Sequence, residues 1–329
     1  MKLKELKSLL FISMFGLLTS SASAQSEVSS IFRFLDVTPN ASASALGGNH
    51  TGLYEGDYSS FHINPAYLFG AENGQVSATF VNLLADSKMG FTNGTFQVNE
   101  NNQIGLGIRF LGYGDFKTLD KDGNELGDFN AIDLAVSGAY ATRISPKWSG
   151  GVSLDLIHSS YEQYKSSAIA ISGGIYYKNE EEHFSFGAAI RNLGTQLSTY
   201  VNSREPLPLD LSVGISKKPE NFPAELSLTL RRLNDWDMRI VGETKKPDLF
   251  DNAFRHVIFG GKFNFGENFH VRLGYNRYLH ELNKTKENFD FAGVGFGVGF
   301  NIKDLIIDIS RNSYSETGGV VQFSIKTTL

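Results

Sequence analysis

The stretch from Gly319 to Leu329, GVVQFSIKTTL, ends the chain and alternates in polarity almost without a break. In an extended strand, Val321, Phe323 and Ile325 would lie on one face, and Gln322, Ser324 and Lys326 would lie on the other. One apolar face and one polar face are typical of a strand in a transmembrane β-barrel, where lipid covers the outside and the lumen is polar. This stretch therefore predicts the closing strand of such a barrel.

The same alternation recurs from Gln75 to the end of the chain and predicts 14 strands. An even number returns both ends of an antiparallel barrel to one side of the membrane. The fold class that we predict is all-β, a 14-stranded antiparallel transmembrane β-barrel. The predicted strands include the following segments: 75–84, 88–98, 104–110, 132–140, 152–156, 169–175, 184–190, 207–215, 226–230, 257–265, 269–275, 294–300, 305–309 and 319–329.

The lengths of the predicted connections support a membrane barrel. Every second link is short, at 99–102, 144–147, 179–182, 218–222, 266–268 and 302–304. The alternate set contains the long links, at 113–129, 194–206, 233–253 and 280–288. Short turns on one rim and long loops on the other are typical of outer-membrane barrels. The strands of a soluble sandwich or propeller also alternate in polarity, but all of these apolar strand faces would then have to pack into one core. The sequence also shows no repeat of the length of a propeller blade.

The chain divides into three parts. Lys2, Lys4 and Lys7 precede an apolar run and the small residues Ala22-Ser23-Ala24, which predicts a cleaved export signal at 1–24. A membrane anchor is the alternative, but the run is short for a bilayer span. Residues 25–74 show no sustained period of two and predict a hatch or plug segment. Residues 75–329 form the predicted barrel, and the location is the outer membrane.

Composition excludes several classes of site. The absence of cysteine removes disulfides and thiolate metal ligands, and a net charge of −5 makes nucleic acid a poor partner. The seven histidines form no His-x-x-x-His pair, and no Gly-x-Ser-x-Gly elbow is present. We therefore predict no enzyme activity, no catalytic residue, no cofactor and no metal.

Two weak motifs remain as alternatives. His158 and Ser160 share a predicted strand face and suggest a lipid hydrolase, although a solvated loop base explains them more simply. Asp120 to Asn124 resembles the start of a calcium loop, but its glycine is misplaced and Ala131 replaces the bidentate glutamate. A hairpin tip at Asp122-Gly123 explains that segment better.

The predicted lumen face carries two unusual features. Gly293, Gly295, Gly297 and Gly299 leave room for a plug or for close approach of backbone. The lumen charges have mixed signs, which favours internal ion pairs over a selective ion path. They are Asp133, Asp155, Arg191, Asp210, Glu225, Arg231, Lys262 and Arg272.

Four motifs carry a family resemblance: Phe32-Arg33-Phe34-Leu35, Ala45-Leu46-Gly47-Gly48, Asn64-Pro65-Ala66-Tyr67-Leu68 and, more weakly, Asn192-Leu193-Gly194. Their order after a signal peptide resembles the PorV/PorQ family, barrels of the type IX secretion system of Bacteroidota. That family is similar in architecture to FadL-type fatty-acid transporters, which implies 14 strands and an N-terminal hatch. The opening motif and the short mature chain look more like the PorQ members than the PorV members.

The resemblance implies a non-enzymatic scaffold that anchors a PorZ-like surface protein through extracellular loops, chiefly 194–206 and 233–253. The partner would belong to an attachment complex with the PorU sortase and PorV, which joins cargo to anionic lipopolysaccharide in the outer membrane. The alternative is a FadL-like transporter of hydrophobic small molecules. The motif residues are expected to be structural: Phe34, Leu35, Leu46, Gly47, Gly48, Asn64, Pro65, Ala66, Asn192, Leu193 and Gly194.

Overall fold

The computed structural model describes residues 30–70, 73–84, 86–119, 122, 124–240, 242–284, 290–313 and 318–329. The predicted signal at 1–24 lies outside the described residues, as do Asp120, Lys121 and Gly123 of the calcium-like segment. The strands are β1 Gln75–Asn82, β2 Lys88–Asn99, β3 Asn102–Leu119, β4 Glu125–Ser145, β5 Trp148–Tyr161, β6 Tyr164–Asn179, β7 Phe184–Ser198, β8 Asp210–Lys217, β9 Ala224–Leu230, β10 Val257–Phe265, β11 Phe269–Asn276, β12 Val294–Ile302, β13 Leu305–Ser313 and β14 Gly319–Thr328.

These strands form one closed antiparallel barrel in which each strand pairs with its neighbours in sequence. The seam joins β1 to β14, with Gln75 opposite Thr328 and Asn82 opposite Val321. Closure satisfies the backbone of the strands without leaving a sheet edge in lipid, where an unpaired backbone group is costly. The predicted fold class is confirmed.

The two faces of β14 follow the alternation of its sequence. Val321 and Phe323 are 42% and 40% exposed on the outside, whereas Gln322, Ser324 and Lys326 are buried in the interior. The same outward apolar rows occur on the other strands, for example at Leu154 and Leu156 of β5. An apolar outer surface on a closed antiparallel barrel is the form in which strands cross an outer membrane.

The barrel wall is uneven in height. Strands β3–β7 have 14 to 21 residues, whereas β8–β14 have 7 to 10. The prediction of a long loop at 113–129 is therefore wrong in part, because β3 and β4 continue as a paired ribbon above the wall. In that ribbon Phe116 stacks on Phe129 with ring centroids 5.2 Å apart.

The predicted start of β8 at residue 207 is also wrong. β8 begins at Asp210, and Leu207 is buried inside the barrel rather than facing lipid. Pro206 and Pro208 flank Leu207 and supply no backbone N–H for the ladder, so the strand cannot extend through them.

The connections divide between the two rims much as predicted. The inner rim carries the short links after β2, β4, β6, β8, β10 and β12. The outer rim carries the long links 199–209, 231–256 and 277–293; the second contains helix α2 (Leu249–Arg255) and the third begins with helix α3 (Arg277–Asn283). Among the described residues, no helix has the length and apolar character needed to cross a membrane.

The described part of residues 30–74 forms a hatch that runs through the lumen from the outer rim to the inner rim. At the outer end, Ile31 N–H donates to the Pro206 carbonyl at 3.0 Å; at the inner end, Leu329 N–H donates to the Gly74 carbonyl at 3.1 Å. Helix α1 (Ala41–Ala45) lies between them, flanked by 3-10 turns at Arg33–Asp36, Tyr58–His62 and Pro65–Gly70. Asn40 begins α1, and its side chain accepts the Ala43 N–H.

Candidate functional site

The outer half of the lumen holds an apolar cluster. Phe32, Phe34 and Leu35 of the hatch pack against inward residues of the first strands, including Met89 and Phe91. The segment that carries Phe34 and Leu35 is a 3-10 turn, and both side chains are buried. The motif residues Phe34 and Leu35 thus fix the outer end of the hatch to the wall.

Around the rest of the hatch the lumen is built differently, because glycines of the wall meet the hatch directly. At each of these positions an added Cβ atom would lie against hatch atoms, so only glycine permits the approach. They come from eight strands around the barrel and are Gly105, Gly107, Gly151, Gly174, Gly187, Gly214, Gly260, Gly274, Gly295 and Gly297. We call this set the glycine girdle.

The predicted glycine row on β12 belongs in part to this girdle. Gly295 and Gly297 lie against Ala45 of α1, while Gly299 faces Arg272 and Asp308. Gly293 precedes β12 and has a φ of +75°. The row does leave room for a plug at two positions, while the other two serve a turn and an ion pair.

The motif Leu46-Gly47-Gly48 ends α1 and turns the hatch along the wall. Gly47 and Gly48 have φ values of +92° and +141°, and their N–H groups donate to the carbonyls of Ser44 and Ala43. Positive φ favours glycine at both positions. Leu46 is buried, and its backbone lies directly over Gly274 of the girdle.

The motif Asn64-Pro65-Ala66 fastens the hatch to β5 and β6. Asn64 Nδ2 donates to the Ile175 carbonyl at 3.0 Å, and Asn64 Oδ1 accepts the Ala66 N–H at 3.1 Å. The Ala66 carbonyl accepts from Ser149 Oγ at 3.0 Å, and Pro65 lies against Gly151. These contacts hold both ends of the motif to the wall.

The motif Asn192-Leu193-Gly194 lies in the wall itself, at an irregularity in the pairing of β6 with β7. Asn192 has a φ of +59°, and its Nδ2 donates to the Pro208 carbonyl at 2.9 Å. Leu193 faces outward, and an added Cβ on Gly194 would overlap the β6 backbone at Ile169. The motif therefore ties the 199–209 link to a bulge.

Most of the predicted lumen charges form buried ion pairs. Arg191 lies 2.5 Å from Asp210, and Asp155 lies 2.6 Å from Arg109. Arg272 bridges Asp308 at 2.7 Å and the hatch residue Glu55 at 2.5 Å. Pairing inside the barrel accords with the structural interpretation of these charges.

The remaining lumen charges have partners of different kinds, some in ion pairs and some in hydrogen bonds to neutral groups. Lys262 lies 3.1 Å from Glu55, and Arg231 lies 3.8 Å from Asp210, just beyond the end of β9. Glu225 accepts from Ser216 Oγ at 3.1 Å. Asp133 accepts hydrogen bonds from Tyr113, Tyr161 and Ser159.

The hatch carries titratable groups with strongly shifted pKa values. Burial lowers the pKa of His50 to about 4, against the opposing effect of the Leu46 carbonyl. Burial, with the nearby charge of Arg109, lowers the pKa of His62 to about 3. Burial alone would raise the pKa of Glu55, but Lys262 and Arg272 hold it well below its usual range. Both histidines are neutral and Glu55 is charged at neutral pH.

The weak chemical motifs gain no support. His158 is exposed on the same outer face as Leu156, whereas Ser159 faces inward and donates to Asp133. Ser160 lies two residues from His158 on the same strand face, the lipid side, where a hydrolase would lack water. Among the described residues, no group of three or more His, Asp or Glu side chains could hold a metal ion.

The 231–256 link forms an ordered cap on the outer rim. Buried Arg255 lies 2.6 Å from Glu243 and 2.7 Å from Asp251, and Asp251 in turn lies 3.1 Å from Arg277 of the next link. The surface of this cap exposes four large apolar side chains, which we call the outer patch: Trp236, Leu249, Phe250 and Phe254. The sequence predicted the link but not the patch, although adjacent Leu249 and Phe250 inside a polar loop were an available signal.

Comparisons with known proteins identify the fold. No family model and no curated protein matches the chain. Among solved structures, the monoaromatic hydrocarbon channel CymD has a TM-score of 0.57 at 13% identity, covering 89% of this chain and 98% of that one. The Pseudomonas putida toluene transporter TodX has a TM-score of 0.54 at 13% identity, covering 88% and 96%.

A FadL homologue of Pseudomonas aeruginosa is similar to the same degree, with a TM-score of 0.54 at 11% identity, covering 88% of this chain and 98% of that one. At such identities the likeness is one of fold. The chain is a FadL-like, 14-stranded barrel, and this architecture supports an outer-membrane location.

Proposed function

We propose that this chain is a sealed, non-enzymatic outer-membrane scaffold that anchors a PorZ-like surface protein in the attachment complex of a type IX secretion system. The observation that carries the proposal is the glycine girdle, because it brings the hatch against the wall on eight strands. Buried ion pairs join the hatch to the same wall through Glu55. A lumen occupied in this way suits an anchor better than an open conduit.

The outer patch supplies the surface for the partner. Leu249 and Phe250 are 74% and 77% exposed, although covering such a side chain is favourable by about 1.5–3 kcal/mol. Exposed apolar groups on an ordered, ion-paired cap are typical of protein interaction sites. The cap is held by Arg255 before any partner arrives, so little conformational freedom would be lost on binding.

The 199–209 link contributes less to this surface than the family resemblance implies. Leu207 is buried in the lumen cluster, and Tyr200 OH donates to Ser159 Oγ at 2.5 Å inside the barrel. This link is folded inward over the hatch. The 231–256 cap is therefore the contact surface that we propose for the partner.

A pull-down from the native host tests the proposal. The tagged barrel, extracted in detergent, should retain a PorZ-like protein with PorU and PorV, identified by mass spectrometry. The double variant Leu249→Ser/Phe250→Ser should lose it. Phe222→Ser is the matched control, since Phe222 is also an exposed apolar residue but lies in an inner-rim turn. Retention by the double variant, or absence of PorZ from the wild type, would contradict the proposal.

A second candidate is a FadL-like transporter of hydrophobic small molecules. It is supported by the shared fold with CymD and TodX and by an apolar cavity of about 240 Å³ at the outer end of β1. That cavity is lined by Leu83, Leu84, Ser87, Leu111, Tyr113 and Val320. Uptake of a hydrophobic probe by liposomes that contain the purified barrel would favour this function, and retention of the partner without uptake would favour the anchor.

A further inference from the structure

A second cavity, of about 300 Å³, lies in the outer lumen between the hatch and helix α3. Phe34, Leu111 and Val320 line one side of it. The other side is polar and carries Asp36, Asn49, Arg231, Asn312 and Gln322. These residues come from the hatch, the 231–256 link, β13 and β14, so the tertiary fold assembles the cavity.

Several buried polar atoms on this side of the cavity lack hydrogen bonds. Asn49 Oδ1, Asn312 Oδ1 and Gln322 Oε1 are buried and have no hydrogen-bond partner among the described residues. Asp36 Oδ1 and Arg231 Nε also lack a hydrogen bond there, and each has an ion pair at 3.8 Å, with Arg191 and with Asp210. Asn312 and Gln322 are at least nine-tenths buried. Buried polar atoms are nearly always hydrogen-bonded, so three amide oxygens without a donor around one cavity point to something that occupies it.

We propose that this cavity binds a sugar ring. The three amide oxygens and Asp36 Oδ1 can each accept a hydrogen bond from a donor, and Arg231 Nε can donate one to an acceptor. A hydroxyl group is both, so it satisfies each side-chain amide whichever way the amide is turned. The apolar side suits the C–H face of the ring. The volume lies at the lower end of small-molecule sites and limits the ligand to one or two rings.

Other ligand classes fit less well. A hydrocarbon would leave these polar atoms without hydrogen bonds, at a cost in affinity. A phosphate or carboxylate could pair with Arg33 and Arg231, which both line the cavity, but it offers acceptors only and would leave the oxygens of Asp36 and of the three amides without donors. Ordered water molecules could also hydrogen-bond these atoms, each water to one of them. Water is therefore the alternative that the experiment has to distinguish from a sugar.

The cavity belongs to the cell-surface side of the barrel. Tyr278, Leu279 and Leu282 of the 277–293 link line it from above, and Leu83 lines it at the outer end of β1. The ligand would therefore arrive from outside, either as a free sugar or as one residue of a surface glycan. The inference concerns the lumen and does not depend on the proposed partner at the outer patch.

The test is saturation-transfer NMR and calorimetry on the purified full-length barrel in an amine-oxide detergent, which carries no sugar headgroup. The probes are glucose, galactose, mannose, N-acetylglucosamine and rhamnose, and then the oligosaccharide released from the host's lipopolysaccharide. We expect at least one probe to bind. If a monosaccharide binds, the natural ligand is a free sugar. If only the oligosaccharide binds, the natural ligand is one residue of a surface glycan.

Two variants locate the site. Gln322→Met and Asn312→Leu keep side-chain size but remove the amide, and each should weaken sugar binding by about tenfold or more. Gln75→Met is the matched control, because Gln75 also has a buried, unpaired amide oxygen but lies at the inner rim. It should leave binding unchanged. Heat-dependent gel mobility verifies that all three fold.

Two results would overturn the inference. One is that no probe binds at millimolar concentration, which would leave water as the occupant. The other is that binding persists unchanged in both Gln322→Met and Asn312→Leu. If the barrel binds a sugar normally but captures no PorZ-like partner, only the anchor function is contradicted. The two proposals can therefore fail separately.

Discussion

Two regions of the lumen, the glycine girdle and the outer cavity, are packed on different plans. In the girdle, wall glycines let hatch backbone lie against the strands, as at Gly274 and Leu46. At the outer cavity, side chains such as Phe34 and Leu111 meet with about 300 Å³ of space between them and with unpaired amide oxygens at its edge. The contrast indicates that the girdle is built to stay closed and that the outer cavity keeps space for a ligand.

The largest expected effect disrupts the glycine girdle. In Gly274→Val, the new side chain would overlap the backbone of Leu46 and Gly47, and backbone cannot move aside as a flexible side chain can. We expect loss of the docked hatch or of folding, with destabilisation above about 3 kcal/mol. Limited proteolysis of residues 30–74 and heat-dependent gel mobility measure it. Gly138→Val is the control, since nothing lies within 4 Å of a Cβ there, and it should behave as wild type.

The next effect concerns the ion pairs that tie the hatch to the wall. Arg272→Met leaves Glu55 and Asp308 buried without their guanidinium, which should lower the free energy of unfolding by about 3–5 kcal/mol. Urea unfolding in detergent measures the change. Lys117→Met removes an exposed pair with Glu125 and should cost less than about 1 kcal/mol. Equal losses in the two variants would contradict the assigned role of Glu55.

The two hatch histidines predict a pH dependence of stability. Because the pKa values of His50 and His62 are lowered to about 4 and about 3, the unfolded chain takes up protons first as the pH falls below 6.5. Between pH 7.5 and pH 5, stability should fall by about 2 kcal/mol for each histidine. Urea unfolding at both pH values measures this. His62→Gln should flatten the slope.

The smallest expected effect compares the hydrogen-bonded hydroxyl of Ser324 on β14 with the hydroxyl of Ser310 on the adjacent strand β13. Ser324 Oγ accepts the Ala41 N–H of the hatch at 2.8 Å and bonds Thr79 Oγ1 at 2.8 Å, so Ser324→Ala should cost about 1–2 kcal/mol. Ser310 Oγ is buried without a hydrogen-bond partner among the described residues, so Ser310→Ala should be neutral or slightly stabilising. Thermal unfolding compares the two variants. A greater loss in Ser310→Ala would mean that the Ser310 hydroxyl is the better bonded of the two.

The sequence predicts the barrel well because a period of two reports both faces of each strand, as in β14. The prediction fails where the local sequence lacks this alternation. The ribbon formed by β3 and β4 lacks the clean alternation of the wall, and the start of β8 depends on two prolines around Leu207. The sequence predicted the girdle only on β12, although Gly105 and Gly107 of β3 have the same two-residue spacing as Gly295 and Gly297. The other members of the girdle occur once on each strand.

The candidate sites were harder to predict than the fold. The sugar cavity joins Asp36, Asn49, Arg231, Asn312 and Gln322, which are scattered along the chain and carry no shared motif. Their unpaired atoms become evident only when the strands and the hatch are placed together. The outer patch was within reach, because Leu249 and Phe250 interrupt an otherwise polar link.

The path of the hatch has a consequence for biogenesis. Its inner end leads into β1, and β1 forms the seam with β14. Threading residues 30–74 through an already sealed ring would mean drawing them past the girdle. We therefore expect the hatch to be seated while the wall is still open. Ala41, which bonds Ser324 of β14, then gives the last strand a template before it zips to the first.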